Sequence, residues 1–559
     1  MSSFYNNGNN LRSDDTESSI TRAFMQGAGF LEEKMQKRPV VGICNSWSEL
    51  NPCNHNLRDV AERVKQGVIA AGGVPVEFPT ISVHEQVNNP SSLFLRNLMS
   101  MDVEEMIKHS PIDGVVLLNG CDKTVPAQIM GAVSADKPMI SLSAGPRNTS
   151  VCGGEAMTIH NLWGKKAERE KGEVADEEWR EFTKNLIPSA GTCNVMGTAS
   201  TMAAMVEALG LSLPATAFLP ATSAARLRAA ESTGETAIHM IEERRTPATY
   251  ITEKSLENAY RTVCALGGST NALIHLEAIA GRMGLCIGVE RFREWNETTP
   301  QLAAVIPSGP YLLEELDEAG GIPGLFSRMP SLLHLECPVI TGETWAETMQ
   351  KTKGKESPAL RSLDHPVQEG GGLAVLQGSL APGGAVFKRS AVPREWWQHR
   401  GPALVFDGLD DMKARINDPD LDVEPESVLV LRGMGPVGGP GMPESAKIPI
   451  PKKIWDKGIK NMLRLSDGRM SGTADGAVVL HVTPEAAAGG PLSLVRDGDM
   501  IELDAVNCRI DLDIGQKELE QRIDANAAEK QPPLRGYEWL YHHHVTQADK
   551  GADFDFLRK

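Results

Sequence analysis

The chain has 559 residues, of which 41% are hydrophobic and 23% charged, and its 56 Lys and Arg stand against 73 Asp and Glu for a net charge of −17. A surface this acidic argues against nucleic acid or anionic membrane as a partner, yet admits a small anionic substrate drawn in by a bound metal ion. The length exceeds one ordinary core, so two to four domains are expected, and no apolar run reaches the roughly 20 residues that span a bilayer.

Residues 1–38 read as a loosely ordered lead-in whose first residues, Met1-Ser-Ser-Phe-Tyr, have no basic and apolar pattern of a secretion signal. Val40-Val-Gly-Ile-Cys44 predicts a short buried strand. Leu57, Val60, Ala61, Val64 and Val68 then recur at helical spacing up to the stop signal Gly72-Gly73. Ile112–Leu118 predicts a second strand, Pro126 suits the first turn of the following helix, and Pro138–Leu142 predicts a third strand. Strands alternating with helices imply an α/β domain with a mostly parallel sheet, assigned to residues 39–366. The charged stretch Gly164–Leu186 reads as an exposed helical excursion with a solvated face, and helical patterns continue over Thr198–Leu209 and Ser255–Met283.

The Pro/Gly-rich stretch His365–Gly372 marks the main boundary. Beyond it Leu373–Leu376, Ala403–Phe406, Val428–Leu431, Val478–Leu480 and Met500–Leu503 are short strand-like runs between turns, which predicts a smaller β-rich domain over 373–559.

The densest chemistry lies in Asn119-Gly-Cys-Asp-Lys-Thr124, where a soft thiolate (Cys121), a hard carboxylate (Asp122) and an amine (Lys123) follow a predicted strand. Cys53 also falls between a strand and a helix, and Cys193 lies just before a helix. Helix N-termini lower thiol pKa values and favour anionic ligands. The nine cysteines are odd in number and scattered, which suits a reducing cytoplasm rather than a disulfide framework. Cys44, Cys152, Cys264, Cys286, Cys337 and Cys508 read as structural. Glu85, Asp122 and Glu444 are carboxylates in loop contexts. Ser471 sits in the tight turn Ser466-Asp-Gly-Arg-Met-Ser-Gly472 without a hydrolase elbow around it. Gly267-Gly-Ser-Thr-Asn271 could cradle a carboxylate or phosphate on backbone N–H groups, making Ser269, Thr270 and Asn271, with Thr192, candidate substrate contacts. His542-His-His544 cannot aim three consecutive rings at one ion.

Together these segments resemble the dihydroxy-acid/sugar-acid dehydratase family, and the wording around Cys193 and Glu85 is most similar to its pentonate (arabinonate and xylonate) branch. The matching motifs are Asn51-Pro-Cys-Asn54, Asn119–Thr124, Ser189-Ala-Gly-Thr-Cys193, Gly267–Asn271 and Ser466–Gly472, in the family's order. The resemblance implies an α/β domain followed by a β-barrel-like domain, with the active site between them. It further implies a [2Fe–2S] cluster on Cys53, Cys121 and Cys193, and Mg²⁺ on Glu85, Asp122, Glu444 and a carbamylated Lys123. Ser471 is implied as the base, and a homodimer or homotetramer in the cytoplasm as the working form. The expected reaction converts a 2,3-dihydroxy acid to a 2-keto-3-deoxy acid. A branched-chain or glycerate-like acid, or a phosphogluconate with a [4Fe–4S] cluster, is the alternative substrate. A non-catalytic sugar-acid binder and a zinc hydrolase are the competing classes.

Overall fold

The computed structural model describes residues 11–152, 154–352, 355–515, 517–518, 521–522 and 535–559. Its first sheet has four parallel strands, β1 (Val40–Asn45), β2 (Val74–Pro79), β3 (Gly114–Asn119) and β4 (Met139–Ser143), in the order β2-β1-β3-β4. The two central strands β1 and β3 are buried along their whole length. Helices cover both faces of such a sheet, so a central strand shows an unbroken apolar run in place of alternation. Strand β2 escaped the sequence reading because Pro75, Glu77 and Pro79 interrupt its apolar pattern; it pairs along one side only, against β1. The helices Leu57–Ala70, Thr124–Ala135 and Thr198–Ala208 lie where periodicity placed them, and Ser255–Met283 is broken into Glu253–Leu266 and Asn271–Arg282 by Gly267, which adopts φ +61°.

The lead-in is better ordered than expected over its described part. Residues 11–37 form helices Thr16–Gly27 and Glu32–Lys37, with Leu11 and Met35 in the main core. Arg12 pairs with Asp113 at 2.6 Å, and the same carboxylate accepts the Val40 N–H at the start of β1. Leu11 and Met35, helped by the half-buried Met25 and Phe30, and one charge pair dock the segment, too few to stand out in its polar sequence.

A two-stranded hairpin, β5 (Ser150–Cys152) and β6 (Glu155–Met157), precedes the charged excursion. The Cys152 side chain lies outside the described residues.

The C-terminal part is a mixed eight-stranded sheet of β7 (Ala374–Leu376), β8 (Gly384–Phe387), β9 (Gln398–Asp407), β10 (Val428–Arg432), β11 (Arg464–Ser466), β12 (Val478–Thr483), β13 (Met500–Asp504) and β14 (Arg509–Asp513). The order is β14-β13-β9-β10-β11-β12-β8-β7, and β9 through β12 run parallel. Gln377, just past β7, hydrogen-bonds Cys508 and Ile510 at β14, so the two ends of the sheet meet and the barrel closes. Side chains alternate across the wall. Val405, Val430 and Val479 fill the interior, while Leu404, Phe406, Leu429 and Leu431 pack outside against Met412 and Ile454. Strands β8, β11 and β14 were not legible in sequence; β11 is three residues long, and β14 has charge at alternate positions.

The C-terminal tail returns to the first half. Asp553 pairs with Arg282 at 2.6 Å with both side chains fully buried, and Arg96 donates to the carbonyls of Gly551 and Ala552 at 2.8 Å. Removing one member of a buried pair strands the other. Asp553→Ala is therefore expected to cost about 3–5 kcal/mol, read as a lower denaturant midpoint; an unchanged midpoint would show that Glu104, 3.3 Å from Arg282, suffices as its partner.

Candidate active site

Cys53 sits in the short turn Pro52–Asn54 after β1, and Cys121 follows β3 directly. These are the carboxyl ends of neighbouring parallel strands, where open α/β sheets gather ligands. Asn54 joins them: its Oδ1 accepts the Cys121 N–H at 2.8 Å while its Nδ2 donates to Ser46 Oγ at 2.9 Å. That approach depends on Gly120, whose added Cβ would lie 2.7 Å from Asn54 Oδ1 and 2.6 Å from the Ala144 methyl. Asn51 reaches the other way, donating to Val83 O at 3.0 Å and so drawing the Glu85 loop onto the Cys53 turn. Gly191 N–H donates to Pro52 O at 3.2 Å, which brings the Cys193 loop to the same place.

The outcome is two adjoining donor sets. The ligand atoms of Cys53, Cys121 and His84 lie within 4.8 Å of one another, and so do those of Glu85, Asp122 and Glu444. Sulfur and imidazole form a soft set, and three carboxylates a hard one. Cys193 lies outside the 4.8 Å set, but its thiol shares the electrostatics of Cys53 and Asp122 and contacts Arg147. Arg147 is buried, and its Nε and one terminal nitrogen have no protein acceptor. A buried guanidinium in this condition calls for an anionic partner, and an iron–sulfur cluster on the neighbouring thiolates is one that fits.

The two thiols Cys53 and Cys121 share a hydrogen bond that, with help from His84, holds Cys53 down at about 5 and pushes Cys121 up; burial adds to the rise of Cys121. Burial raises Cys193 to about 11 against the pull of Arg147.

In the hard set, Lys123 is completely buried and pairs with Asp122, with Glu85 at 3.4 Å and with Glu444 at 3.8 Å. Arg469, also fully buried, lies 3.0 Å from Glu444 and 3.4 Å from Glu85, and its Nε donates to Met442 O at 2.8 Å. Three carboxylates thus face two cations, and one negative charge is left over. Burial raises Glu444 to about 7, and neighbouring Glu85 adds to the effect. Burial acts on Glu85 too, but Lys123 and Arg469 outweigh it and hold Glu85 at about 2. Burial works against the Lys123 ammonium as well, yet the carboxylates prevail and its pKa rises.

The Gly267–Asn271 motif serves the site in a way the sequence did not indicate. The Ser269 N–H donates to Thr201 Oγ1 and the Asn271 N–H to Ser269 Oγ, so the expected backbone cradle gives way to bracing by side chains. Asn271 Nδ2 donates to Glu444 at 3.2 Å, and Ser269 Oγ bonds Thr198 Oγ1 at 2.8 Å. Ser269 and Thr198 crowd Gly472, where a Cβ would lie 2.7 Å from Ser269 Oγ. The buried hydroxyl of Thr270 has no partner, and Thr192 is buried with its backbone tied to Gly145 and Arg147.

Ser471 is half-buried and lines the same cleft as Glu444, His160 and Trp163. Its Oγ lies 2.9 Å from Thr473 Oγ1. Beneath it, Lys388 is buried and donates to Gly472 O at 2.9 Å. Sequence reading missed Arg469, although it stands two residues before Ser471 in a motif already singled out, and missed Lys388, Arg147 and His84, whose partners are distant in the chain. The structural reading of the other cysteines agrees for Cys44, Cys264, Cys337 and Cys508, which are buried, whereas Cys286 is exposed. His542–His544 lie on the helix Gly536–His544, with His544 held to Asp555.

Residues 38–348 match the dihydroxy-acid/6-phosphogluconate dehydratase N-terminal family and residues 358–552 its C-terminal counterpart. The chain belongs to this family of dehydratases. Within the family it is similar to an L-arabonate dehydratase of Azospirillum brasilense, with 44% identity over 554 residues that cover 97% of this chain and 95% of the relative. It is similar to an L-arabinonate dehydratase of Rhizobium leguminosarum bv. trifolii (43% over 545 residues, 96% and 93%) and to a 6-deoxy-6-sulfo-D-gluconate dehydratase of Pseudomonas putida (42% over 544 residues, 96% and 93%). No described helix is long and apolar enough to cross a membrane.

Lys388 gives the site a measurable signature. Burial pushes its pKa down to about 8, opposed only by Asp475. Between about pH 8 and the ordinary lysine value near 10.4, the unfolded chain holds a proton that the folded protein has released, so stability rises with pH across that window by about 3 kcal/mol. Urea unfolding of wild type and Lys388→Met at pH 7.5 and pH 10 should show this rise in the wild type alone; parallel behaviour of the two proteins would contradict it.

Proposed function

We propose that the protein dehydrates a 2,3-dihydroxy sugar acid to the 2-keto-3-deoxy acid. The observation that carries this reading is the junction of the soft and hard donor sets at the consecutive residues Cys121 and Asp122, with Glu444 and Ser471 lining one cleft beside it. Cys53, Cys121 and Cys193 would hold a [2Fe–2S] cluster. Glu85, Asp122, Glu444 and a carbamate on Lys123 would hold Mg²⁺. When bound, these groups supply Lewis acidity, on the magnesium side toward the carboxylate and C2 hydroxyl and on the iron side toward the C3 hydroxyl.

Ser471, in its deprotonated form, takes the proton from C2. The electron pair of that C–H bond forms the C2–C3 double bond as the C3–O bond breaks. The departing hydroxide collects the proton from the Ser471 hydroxyl and leaves as water, which returns the serine to its basic form. The resulting enol loses its hydroxyl proton and gains one at C3 to give the keto acid. Arg469 and Asn271 hold Glu444 in place through this cycle, and Arg469 and Ser91 do the same for Glu85.

Lys123 carries a charge argument of its own. As an ammonium it neutralises the carboxylates around it; as a carbamate, formed when neutral Nζ attacks CO₂ and loses a proton, it exchanges one positive charge for one negative charge. The carboxylates favour the ammonium, so carbamylation and occupation by a divalent cation are coupled. A ¹³C-bicarbonate label is expected to give a carbamate resonance only when Mg²⁺ is added, and a Lys123→Arg variant should give none. A resonance of equal size without Mg²⁺ would refute the coupling.

The activity is tested by an anaerobic screen of C3 to C6 aldonic acids, with a branched-chain dihydroxy acid and 6-phosphogluconate included. Turnover is expected on C5 and C6 aldonic acids, with keto-acid product. Ser471→Ala should retain iron, sulfide and visible absorption while kcat falls by at least about 10³-fold, and Cys53→Ser should lose absorption and activity together. A colourless but active Cys53→Ser protein would overturn the assignment.

A further inference from the structure

The charged excursion reaches the catalytic turn. The helix that leads into it, Ile159–Glu170, has no fully buried residue, yet it places two side chains on the segment after Ser471. Trp163 packs against the small apolar cluster of Ala446, Met470, Ala474, Val478 and Leu480 that supports this turn, and its Nε1–H donates to Thr473 Oγ1 at 2.9 Å. His160 Nδ1 lies 3.1 Å from the Thr473 carbonyl. Thr473 Oγ1 is in turn 2.9 Å from Ser471 Oγ, and the Thr473 N–H is 3.4 Å from the same oxygen.

Donor and acceptor roles along this chain follow from the chemistry of the groups. An indole N–H only donates, so Thr473 Oγ1 accepts from Trp163. A serine alkoxide only accepts, so when Ser471 is deprotonated the Thr473 hydroxyl must donate to it. Each link polarises the next, and a donor whose own oxygen is already accepting a bond is a stronger donor. The peptide between Gly472 and Thr473 is polarised in the same sense, because Lys388 donates to its carbonyl while its N–H faces Ser471.

We propose that Trp163 is a positioning residue for Ser471, acting through the Thr473 hydroxyl to hold the serine oxygen in its basic form and to aim its lone pair into the cleft. The excursion helix is thereby part of the catalytic apparatus, contributing one N–H that no residue of the barrel turn supplies. The inference rests on the assignment of Ser471 as the base.

The test compares Trp163→Phe, Thr473→Val, Thr473→Ser and the double variant Trp163→Phe/Thr473→Val with wild type and Ser471→Ala, all as holoenzyme, on the fastest aldonic acid of the screen and its C2-deuterated form. Phenylalanine keeps an aromatic ring against Met470 and Ala474 while removing the N–H and part of the indole's volume, and the unfolding midpoint separates the two effects. Trp163→Phe is expected to lower kcat about 2- to 10-fold, as for loss of a hydrogen bond between neutral groups. KM should stay within about twofold, the C2-deuterium isotope effect should grow, and the unfolding midpoint should stay at the wild-type value. Thr473→Val should fall at least as far, Thr473→Ser should recover to within a few fold of wild type, and the double variant should be no slower than Thr473→Val alone. An unchanged kcat in Trp163→Phe, a loss confined to KM, a lowered unfolding midpoint that accounts for the loss, or additive effects in the double variant would overturn the relay. Should Ser471→Ala itself keep turning over, the serine-base reading fails; an inactive Ser471→Ala beside a fully active Trp163→Phe removes the relay alone.

Discussion

The structure is organised around a buried charge cluster that no single segment of the chain can satisfy. Glu85, Asp122 and Glu444, each mostly buried at the edge of the cleft, are brought together with the fully buried Lys123 and Arg469, where an unmatched charge costs several kcal/mol. Asp122 and Lys123 come from the end of β3, Glu85 from a loop of the same α/β part, and Glu444 and Arg469 from turns of the barrel. Each half carries an ion pair of its own, Asp122–Lys123 and Glu444–Arg469, and the contacts of Lys123 with Glu444 at 3.8 Å and of Arg469 with Glu85 at 3.4 Å tie the two halves together. The two parts are therefore held to one arrangement by electrostatics as well as by apolar packing, and the tail pair Arg282–Asp553 repeats the device at the far end.

Around that cluster the loops are positioned by short polar side chains. Asn51, Asn54 and Asn271 each bridge segments remote in sequence, spending amide N–H and C=O groups on backbone or on a carboxylate. Such bridges work only where the backbones come close, which is why Gly120 and Gly472 lack room for a Cβ. The arrangement leaves soft and hard donors side by side, with the first residues of the helix Thr124–Ala135 beginning just beyond them.

The turn that carries Ser471 shows how a segment outside the main core can still matter. The helix Ile159–Glu170 turns Ile159 and Leu162 onto a small cluster with Met157, Phe182 and Leu186 outside the main core, and one indole N–H and one imidazole fasten it to Thr473. A chain of donors then runs from the excursion to Ser471, while Lys388 acts on the same turn from beneath. Two hydrogen-bond chains thus converge beside Ser471, one from Trp163 through Thr473 and one from Lys388 through the Gly472–Thr473 peptide.

By itself the sequence determined the parallel α/β sheet, the β-rich second half and the identity of the chemical groups. Those features rest on local periodicity and on residue types that carry their chemistry wherever they stand: Cys53, Cys121, Cys193, Asp122 and Ser471 were all recognisable in their motifs. The tertiary structure alone decided which groups meet. Arg469 was in view beside Ser471, yet nothing local says that a guanidinium will reach Glu85, some 384 positions away in the chain. Trp163 stands one residue before the charged stretch Gly164–Leu186 whose pattern predicted a solvated face, and it reaches Thr473 by a hydrogen bond across 310 positions. Likewise the Ser269 and Asn271 N–H groups looked free for a ligand until the fold supplied Thr201 and the Ser269 hydroxyl as their acceptors. Hydrogen bonds and ion pairs between distant residues leave no period in a sequence, because they are fixed by where the backbone passes and not by the spacing of the residues that make them.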